Sequence, residues 1–388
     1  MGLLDEAKTL KETIVKDRRT IHQHAEFGMD LPVTVAYVKK RLKEMGYEPE
    51  DCGKSGVVAT VGKPGKCILL RADMDALPMK EETGLPYSSE TDWTHSCGHD
   101  AHTAMLLGAA QILKNHEAEL NGTVKLMFQP AEELLAGAKD MVENGVLENP
   151  KVDAAIGIHI DSQVPVGQVC YAPKYASASA DVYVIHVQGK GGHGAMPELS
   201  IDPLLTACYI NIALQELNAR EVSGRDMAVI TTGKMISGTK ENIIADTARM
   251  EGTIRTLDRE VLANVKKRLE EIAKGVGAAF RCKVEVEWPF GCGPNTNDVP
   301  FQEEISGYAK DLIGSENMVL SEPTMGSEDF SFVSQKVPGM FMWMGARMED
   351  DSQVYPLHHN RMILNEESFP IGSAMHAHCA MEWLKNNG

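Results

Sequence analysis

Short apolar segments of strand length alternate with helix-patterned segments through the first 160 residues, and this alternation limits the possible folds most strongly. Cys67–Leu70, Thr123–Phe128 and Ala154–Ile158 are apolar or β-branched runs, and Ala101–Asn115 and Glu133–Asn144 have the periodicity of helices. A helix between two strands is the usual crossover of a parallel pair. The sequence therefore predicts an α/β domain with a mostly parallel sheet.

The segment 181–290 has a different order of elements, β-α-β-β-α-β, which is the order of a ferredoxin-like α+β unit. Helical and strand-like segments resume after it, so we expect an insertion in a domain formed by 1–180 and 291–388. The expected strands are Asp181–Val187, Met227–Met235, Asp246–Arg255 and Lys283–Trp288, and the expected helices are Asp202–Leu217 and Arg259–Val276.

Length, charge and cysteine usage narrow the possible functions. The chain has 388 residues, more than the roughly 100–200 of a typical domain. Its 38 Lys and Arg and 55 Asp and Glu give a net charge of −17, which argues against nucleic acid or an anionic membrane surface as a partner.

No apolar run approaches the roughly 20 residues of a membrane-spanning helix, and the charged N-terminal segment is unlike a signal peptide. Eight cysteines without a CxxC pair are typical of reduced thiols, so we expect a cytoplasmic protein.

Chemically active side chains follow three of the predicted strands. Asp73, the pair Glu132-Glu133 and His159 each come at or just after the carboxyl end of an apolar run. In open α/β sheets ligands bind at that edge. Each residue alone also fits an ordinary role, because Glu pairs are common at helix starts and a His often closes a core strand. Three strands that deliver such groups to one edge favour a functional site.

Cys97 and His99 lie in a loop that leads into the predicted helix Ala101–Asn115. They offer a thiolate and an imidazole, the ligand types that zinc and similar metals prefer. The alternative is a polar loop with exposed imidazoles. Together with Glu133, His159 and a late His from the pair 358–359 there are five ligands, which suits two divalent ions that share a ligand. We interpret the other His pair, at 376 and 378, as a surface feature of the last helix.

The inserted segment contributes His193, in a Gly-rich loop at the end of a strand. It is either an ordinary loop residue or a group that a movable domain delivers to an anionic transition state.

These motifs together resemble the M20 metallopeptidases, in particular the amidohydrolase branch with N-acyl-amino-acid amidohydrolases, hippurate hydrolases and plant auxin-conjugate hydrolases. The resemblance covers nearly the whole chain, with the motifs in family order. The matching stretches are Arg18–His24, Arg71–Pro78, Cys97–Asp100, Gln129–Glu133, Gly157–His159, Gly192–Pro197, Asn242–Ile244, Gly252–Thr256, Met325–Phe330 and Leu357-His358.

The resemblance implies a catalytic α/β domain and an inserted lid that also dimerises, so we expect a homodimer or a higher homo-oligomer. It implies two divalent metal ions, which could be zinc, manganese, nickel or cobalt. In the wider family the lid His can act on the site of the neighbouring subunit. The implied metal ligands are Cys97, His99, Glu133, His159 and His358, with Glu132 as general base, Asp73 as the residue that orients a ligand, and His193, Asn242 and, more weakly, Arg255 as substrate-binding groups.

The function implied in this way is hydrolysis of the amide of a small N-acyl amino acid to a carboxylate and a free amino acid. A metal-activated water would attack and Glu132 would act as general base. The same site could instead serve a metallo-carboxypeptidase or a dipeptidase. A catalytically silent binding protein on this scaffold is disfavoured, because the base and all five ligands are present.

Overall fold

The structure is a computed structural model and describes residues 2–388. The helices are α1 (Leu3–Thr9), α2 (Lys11–Gln23), α3 (Pro32–Glu44), α4 (His99–Asn115), α5 (Gly137–Glu143), α6 (Pro203–Glu216), α7 (Arg259–Ala279), α8 (Val299–Ile313), α9 (Ser331–Ser334) and α10 (Phe369–Asn387). The strands are β1 (Glu50–Cys52), β2 (Gly56–Gly62), β3 (Cys67–Asp73), β4 (Thr123–Gln129), β5 (Ala154–Asp161), β6 (Val169–Tyr171), β7 (Tyr175–Ser177), β8 (Ala180–Gln188), β9 (Gly192–His193), β10 (Ala228–Ser237), β11 (Ile243–Ile244), β12 (Thr247–Thr256), β13 (Lys283–Glu287), β14 (Gly291–Cys292), β15 (Asn295–Thr296), β16 (Met318–Leu320) and β17 (Gly339–Gly345).

The chain divides into two compact units. The first contains the residues up to Ala176 together with Thr296–Glu322 and Asp329–Gly388, and the second contains Ser177–Asn295 and Pro323–Glu328. The insertion expected at 181–290 lies inside the second unit. Its expected role as a lid and dimerisation domain stays a prediction.

The first unit is built on an eight-stranded sheet in the order β1-β2-β4-β3-β5-β17-β6-β16. The pairs β3–β4, β3–β5, β5–β17 and β6–β16 are parallel, while β1–β2, β2–β4 and β6–β17 are antiparallel. Every residue of β3 and β4 is buried, as expected for central strands covered on both faces. The predicted α/β class with a mostly parallel sheet is confirmed.

The second unit has an antiparallel sheet in the order β10-β12-β8-β13. Side chains of α6 and α7, such as Ile210 and Leu269, pack against strand residues that include Tyr183 and Ile185. The β-α-β-β-α-β order and the ferredoxin-like class predicted from the sequence are confirmed.

Two local expectations are wrong. The helix expected from Glu133 begins only at Gly137, because Ala131 and Leu135 take positive φ values of 50° and 52° and form a turn in between. The pair at 376 and 378 is not a surface feature, since His376 is 1% exposed on α10, which packs against α1, α4 and α8. Among the described residues, none of the helices combines the length and apolarity that crossing a membrane requires.

Candidate metal centre

The sheet register brings the ends of the central strands of the first unit together. Asp73, the last residue of β3, lies opposite Gln129, the last residue of β4. Glu132 and Glu133 follow three and four residues later, in the turn before α5. His159 lies on β5, opposite Trp343 of β17, and the two rings are 4.6 Å apart. The carboxyl ends of these strands therefore bring these side chains to one edge of the sheet.

The thiol of Cys97 lies between two imidazoles. Its Sγ is 3.4 Å from Nε2 of His159 and 3.3 Å from Nε2 of His358. The backbone N–H of His358 donates a 2.8 Å hydrogen bond to the carbonyl of Ser96, which fixes the late segment against the Cys97 loop. His358 has a positive φ of 64°, so this contact holds it in a conformation that residues other than glycine rarely adopt.

The two glutamates complete the cluster. Glu133 Oε1 is 3.4 Å from Nε2 of His358 and 4.0 Å from Nε2 of His99, and Glu132 Oε2 is 3.9 Å from the same atom of His99. Of the groups of three possible ligand atoms that lie within 4.8 Å of one another among the described residues, two consist only of the ligands expected from the sequence. Both groups contain Cys97: one is Cys97, His99 and His159, and the other is Cys97, Glu133 and His358.

The hydrogen bonds of the histidines suit a metal ion. His99 donates from Nδ1 to the carbonyl of Asp75 at 2.9 Å, and its buried Nε2 has no hydrogen-bond partner. His159 donates from Nδ1 to the carbonyl of Ile160 at 2.7 Å. In the neutral form of both rings this leaves the lone pair on Nε2, the atom that faces the cluster. A thiol, imidazoles and a carboxylate are donors that fit zinc or a similar transition metal, and among them only the imidazole of His358 is exposed.

The charges around these groups favour a cation. Burial lowers the pKa of His99, but the carboxylates of Asp73 and Asp75 outweigh it and raise that pKa to about 10. Burial and the two nearby glutamates raise the pKa of the Cys97 thiol well above its ordinary value. Burial also raises the pKa of Glu133. Surroundings that favour a positive charge on His99 favour a metal ion beside it as well.

Comparisons with known proteins agree with this site. Residues 69–382 match the model of peptidase family M20/M25/M40. The chain belongs to this family. It is 39% identical to IAA-amino acid hydrolase ILR1-like 4 of Arabidopsis thaliana, over 95% of this chain and 84% of that protein. It is 36% identical to N-acetyl-L-cysteine deacetylase of Bacillus subtilis, over 98% and 90% of the two chains. The crystal structure of a dinuclear metal binding peptidase of the M20 family from Bacillus subtilis aligns with a TM-score of 0.84 and 33% identity, over 97% of this chain and 99% of that one. The chain is a hydrolase of the M20 metallopeptidase family, as the motifs predicted.

Two aspartates lie near His99, and the ligand-orienting role expected of Asp73 stays a prediction. Asp73 hydrogen-bonds His102 at 2.5 Å and forms an ion pair with Arg71 at 2.7 Å, while its Oδ2 remains 3.6 Å from His99 Nε2. Asp75 instead contacts the ligand loops. It binds His99 through its backbone carbonyl and lies 3.3 Å from the same ring nitrogen with Oδ1. The strand pattern of the sequence did not indicate Asp75, because this residue lies beyond the end of β3.

Asp329, near the end of the Met325–Phe330 stretch, was not expected to have a role and is fully buried. Its Oδ1 accepts hydrogen bonds from Gln129 at 2.6 Å and Arg71 at 3.1 Å. Its backbone N–H donates to Oε1 of Glu132 at 3.4 Å. The only signal for this residue was the family motif, since nothing in its local pattern indicates burial.

The expected substrate-binding residues lie in the second unit. His193 on β9 pairs with Ile243 on β11, and the backbone N–H of Gly194 donates to the carbonyl of Asn242 at 2.9 Å, so His193 and Asn242 lie close together. Both side chains are exposed. Arg255 lies on another strand, β12, where it donates to the carbonyl of Met325 at 3.1 Å.

Proposed function

We propose that this M20 enzyme hydrolyses the amide bond of small N-acyl amino acids and releases a carboxylate and a free amino acid. The observation that carries the proposal is the pair Glu132-Glu133, a candidate base beside a candidate ligand. The backbone N–H groups of both residues donate to the carboxylate of Asp75, at 3.0 and 3.1 Å. The relatives named above include hydrolases and deacetylases of conjugated amino acids, which supports this substrate class.

Two divalent metal ions would fit the cluster, and Cys97 would belong to both groups of ligands. We assign the remaining ligands to His99, His159, Glu133 and His358. Zinc, manganese, nickel and cobalt all accept such a donor set. When bound, the ions lower the pKa of the attacking water and polarise the scissile carbonyl.

Glu132 acts as general base in this proposal. Its side chain is only 8% exposed, and Oε1 is held by the backbone N–H of Asp329. A carboxylate fixed in this way takes the proton from the attacking water and passes it to the leaving amine. His193 and Asn242 of the second unit supply an imidazole and an amide that bind the substrate carbonyl or carboxylate, and Arg255 is a weaker candidate for the carboxylate.

The replacement Glu132→Gln tests the role of the base. The amide keeps the size of the side chain but cannot accept the proton, so we expect turnover of N-acetyl and N-benzoyl amino acids to fall by about 10²–10⁴-fold. Metal content, measured by elemental analysis, stays unchanged. Glu143→Gln, an exposed change on α5, is the matched control. An active Glu132→Gln enzyme would remove Glu132 from the mechanism, and faster cleavage of dipeptides than of acyl amino acids would favour the peptidase alternative.

We also propose that two chains associate through the second unit. Four apolar residues of α6 are exposed by 45–67%: Leu204, Leu205, Tyr209 and Ile212. Strand β10 lies at the edge of its sheet, and its outer side chains include the exposed Val229 and Ile236. An apolar helix face and an open strand edge in one unit are features that a second copy covers.

A cytoplasmic location stays part of the proposal, supported by eight cysteines that form no disulfide.

A further inference from the structure

The Arg18–His24 stretch has no role in the proposed reaction, yet one of its side chains belongs to a buried chain of charges. His22, on α2, is 2% exposed. Its Nδ1 is 2.7 Å from Oδ2 of Asp100, and its Nε2 is 3.0 Å from Oε2 of Glu81. Each ring nitrogen therefore faces a carboxylate oxygen. This is the arrangement of an imidazolium that donates two charge-assisted hydrogen bonds.

At one end of this buried chain of charges, Asp100 adjoins the candidate metal centre. Asp100 is fully buried and follows His99 directly in the first turn of α4. Its Oδ2 also forms an ion pair with Nε of Arg18, at 2.7 Å. Arg18 and His22 are four residues apart on α2, so one face of that helix binds Asp100 twice. The start of α4 is thereby fixed within three residues of Cys97.

The Glu81 end reaches the late ligand. Glu81 lies in the long connection between β3 and α4, and its Oε2 also accepts the backbone N–H of Ser89 at 2.7 Å. The next residue, Glu82, donates its backbone N–H to the carbonyl of Asn360 at 2.9 Å. Asn360 is two positions after His358. The connection therefore joins the His22 bridge to the segment that carries the last ligand.

The charges of the bridge are mutually stabilised. Burial and the Arg18 guanidinium lower the pKa of His22, but its hydrogen bonds to Asp100 and Glu81 outweigh them and raise that pKa overall. Burial works against ionisation of Glu81 as well, yet contacts led by His22 lower its pKa to about 2. A buried pair of this kind is costly to break from one side, because the remaining carboxylate loses its partner.

We propose that His22 is a positioning residue for the metal centre, because its bridge between Asp100 and Glu81 holds the Cys97–His99 segment in the geometry that binds divalent metal. The inference rests on the proposed metal site and adds to it a residue that touches neither metal nor substrate. Without the bridge, Asp100 loses one of the groups that fix the first turn of α4, and the two ligands beside it move more freely.

The test compares metal binding by the full chain and its His22→Gln variant. Gln has no positive charge and cannot replace both ring nitrogens. We expect Zn²⁺ affinity, measured by competition with a chelator, to fall by about 10–100-fold. With Co²⁺ as the probe, the thiolate-to-cobalt absorption of Cys97 should weaken or shift. The control is His24→Gln, an exposed residue at the end of the same helix, which should leave both readouts unchanged.

A second variant covers the case in which His22→Gln does not fold. Glu81→Gln removes only the far carboxylate of the bridge, and we expect a smaller loss of Zn²⁺ affinity in the same direction. Wild-type Zn²⁺ affinity and an unchanged cobalt spectrum in folded variants, even with a lowered melting temperature, would overturn the inference. Failure of the proposed function is a separate result, since it would show as wild-type protein that binds Zn²⁺ but hydrolyses no acyl amino acid.

Discussion

The backbone carbonyl of Asp75 accepts a hydrogen bond from Nδ1 of His99, at 2.9 Å. The side chain of the same aspartate receives the N–H groups of Glu132 and Glu133. One residue just past the end of β3 therefore orients an imidazole from α4 and the two glutamates that follow β4. Asp75 therefore links the backbone of the candidate base to His99, while Asp329 holds the carboxylate of that base.

Replacement of Asp75 by Asn should impair the enzyme without unfolding it. The amide has one acceptor oxygen, so one of the two N–H groups of Glu132 and Glu133 would face an NH₂ group. We expect kcat to fall by about 10–100-fold, the usual effect of losing a group that orients metal ligands. Steady-state kinetics and metal analysis measure it. The control is Asp153→Asn, which also removes a carboxylate that accepts a backbone N–H, from Cys67 at 2.9 Å. Equal losses in the two variants would contradict the role of Asp75.

Replacement of Cys97 by Ala should remove metal. Its sulfur belongs to both groups of ligand atoms, so both ions lose a ligand at once. We expect elemental analysis of protein purified without chelator to show less than half of the wild-type metal, while circular dichroism stays native. Cys208→Ser, an exposed cysteine of α6, is the control. A full metal complement in Cys97→Ala would exclude this thiol as a ligand.

His116 should make stability depend on pH. Its Nε2 is 2.8 Å from Glu6 and its Nδ1 is 2.7 Å from Glu119, and these hydrogen bonds raise its pKa. A raised pKa means that the folded state binds the proton more tightly, so the contribution is complete below the unfolded pKa of about 6.5 and is lost as pH rises through the folded pKa. The site is partly exposed, so His116→Gln should cost only about 0.5 kcal/mol. Thermal melts of the metal-free protein should show the deficit at about pH 5.5 and none at about pH 9. A deficit that grows with pH would refute this account. The control variant His24→Gln should show no loss of stability at either pH.

Lys125, a buried residue of β4, should contribute to the free energy of unfolding. Its ammonium group donates to the carbonyls of Val146, Glu148 and Pro150, at 2.9, 2.6 and 2.8 Å. Lys125→Met keeps the stem but leaves three carbonyls without this donor, so we expect a loss of about 2–3 kcal/mol. Chemical denaturation measures it against Lys63→Met, an exposed lysine. A loss no larger than that of the control would mean that water replaces the ammonium group.

Association through the second unit should depend on α6. The double change Leu205→Glu and Ile212→Glu places charges on the exposed apolar face, so we expect a dimeric wild type to become monomeric in sedimentation velocity. Val33→Glu, an equally exposed apolar site on α3, should remain dimeric. A monomeric wild type would rule out the proposed dimer itself.

The fold was largely predictable because its signals are local. Apolar runs separated by helical periodicity indicated the parallel sheet, and the β-α-β-β-α-β order indicated the second unit. The turn from Ala131 to Leu135 was not predictable, since positive φ at Ala and Leu is imposed by surrounding structure rather than by propensity. The burial of His376 was missed for a similar reason, as packing of α10 against three other helices has no local signal.

The site was predictable only where strand ends define it. Glu132 and Glu133 follow β4, and His159 lies near the carboxyl end of β5, on the other side of β3. Parallel strands bring their carboxyl ends to one edge. The contact between Cys97 and His358 joins residues 261 positions apart, and no spacing rule connects them. The family resemblance indicated both residues, and the structure brings them to 3.3 Å.

The place of β17 in the sheet has a consequence for synthesis on the ribosome. This strand lies between β5 and β6, although it begins about 170 to 180 positions after those neighbours end in the chain. All residues of the second unit precede Gly339 in the chain, whereas the main sheet lacks an inner strand until β17 is made. A nascent chain therefore cannot assemble the proposed metal site until His358 is made, and products that end before this residue lack one of the proposed ligands.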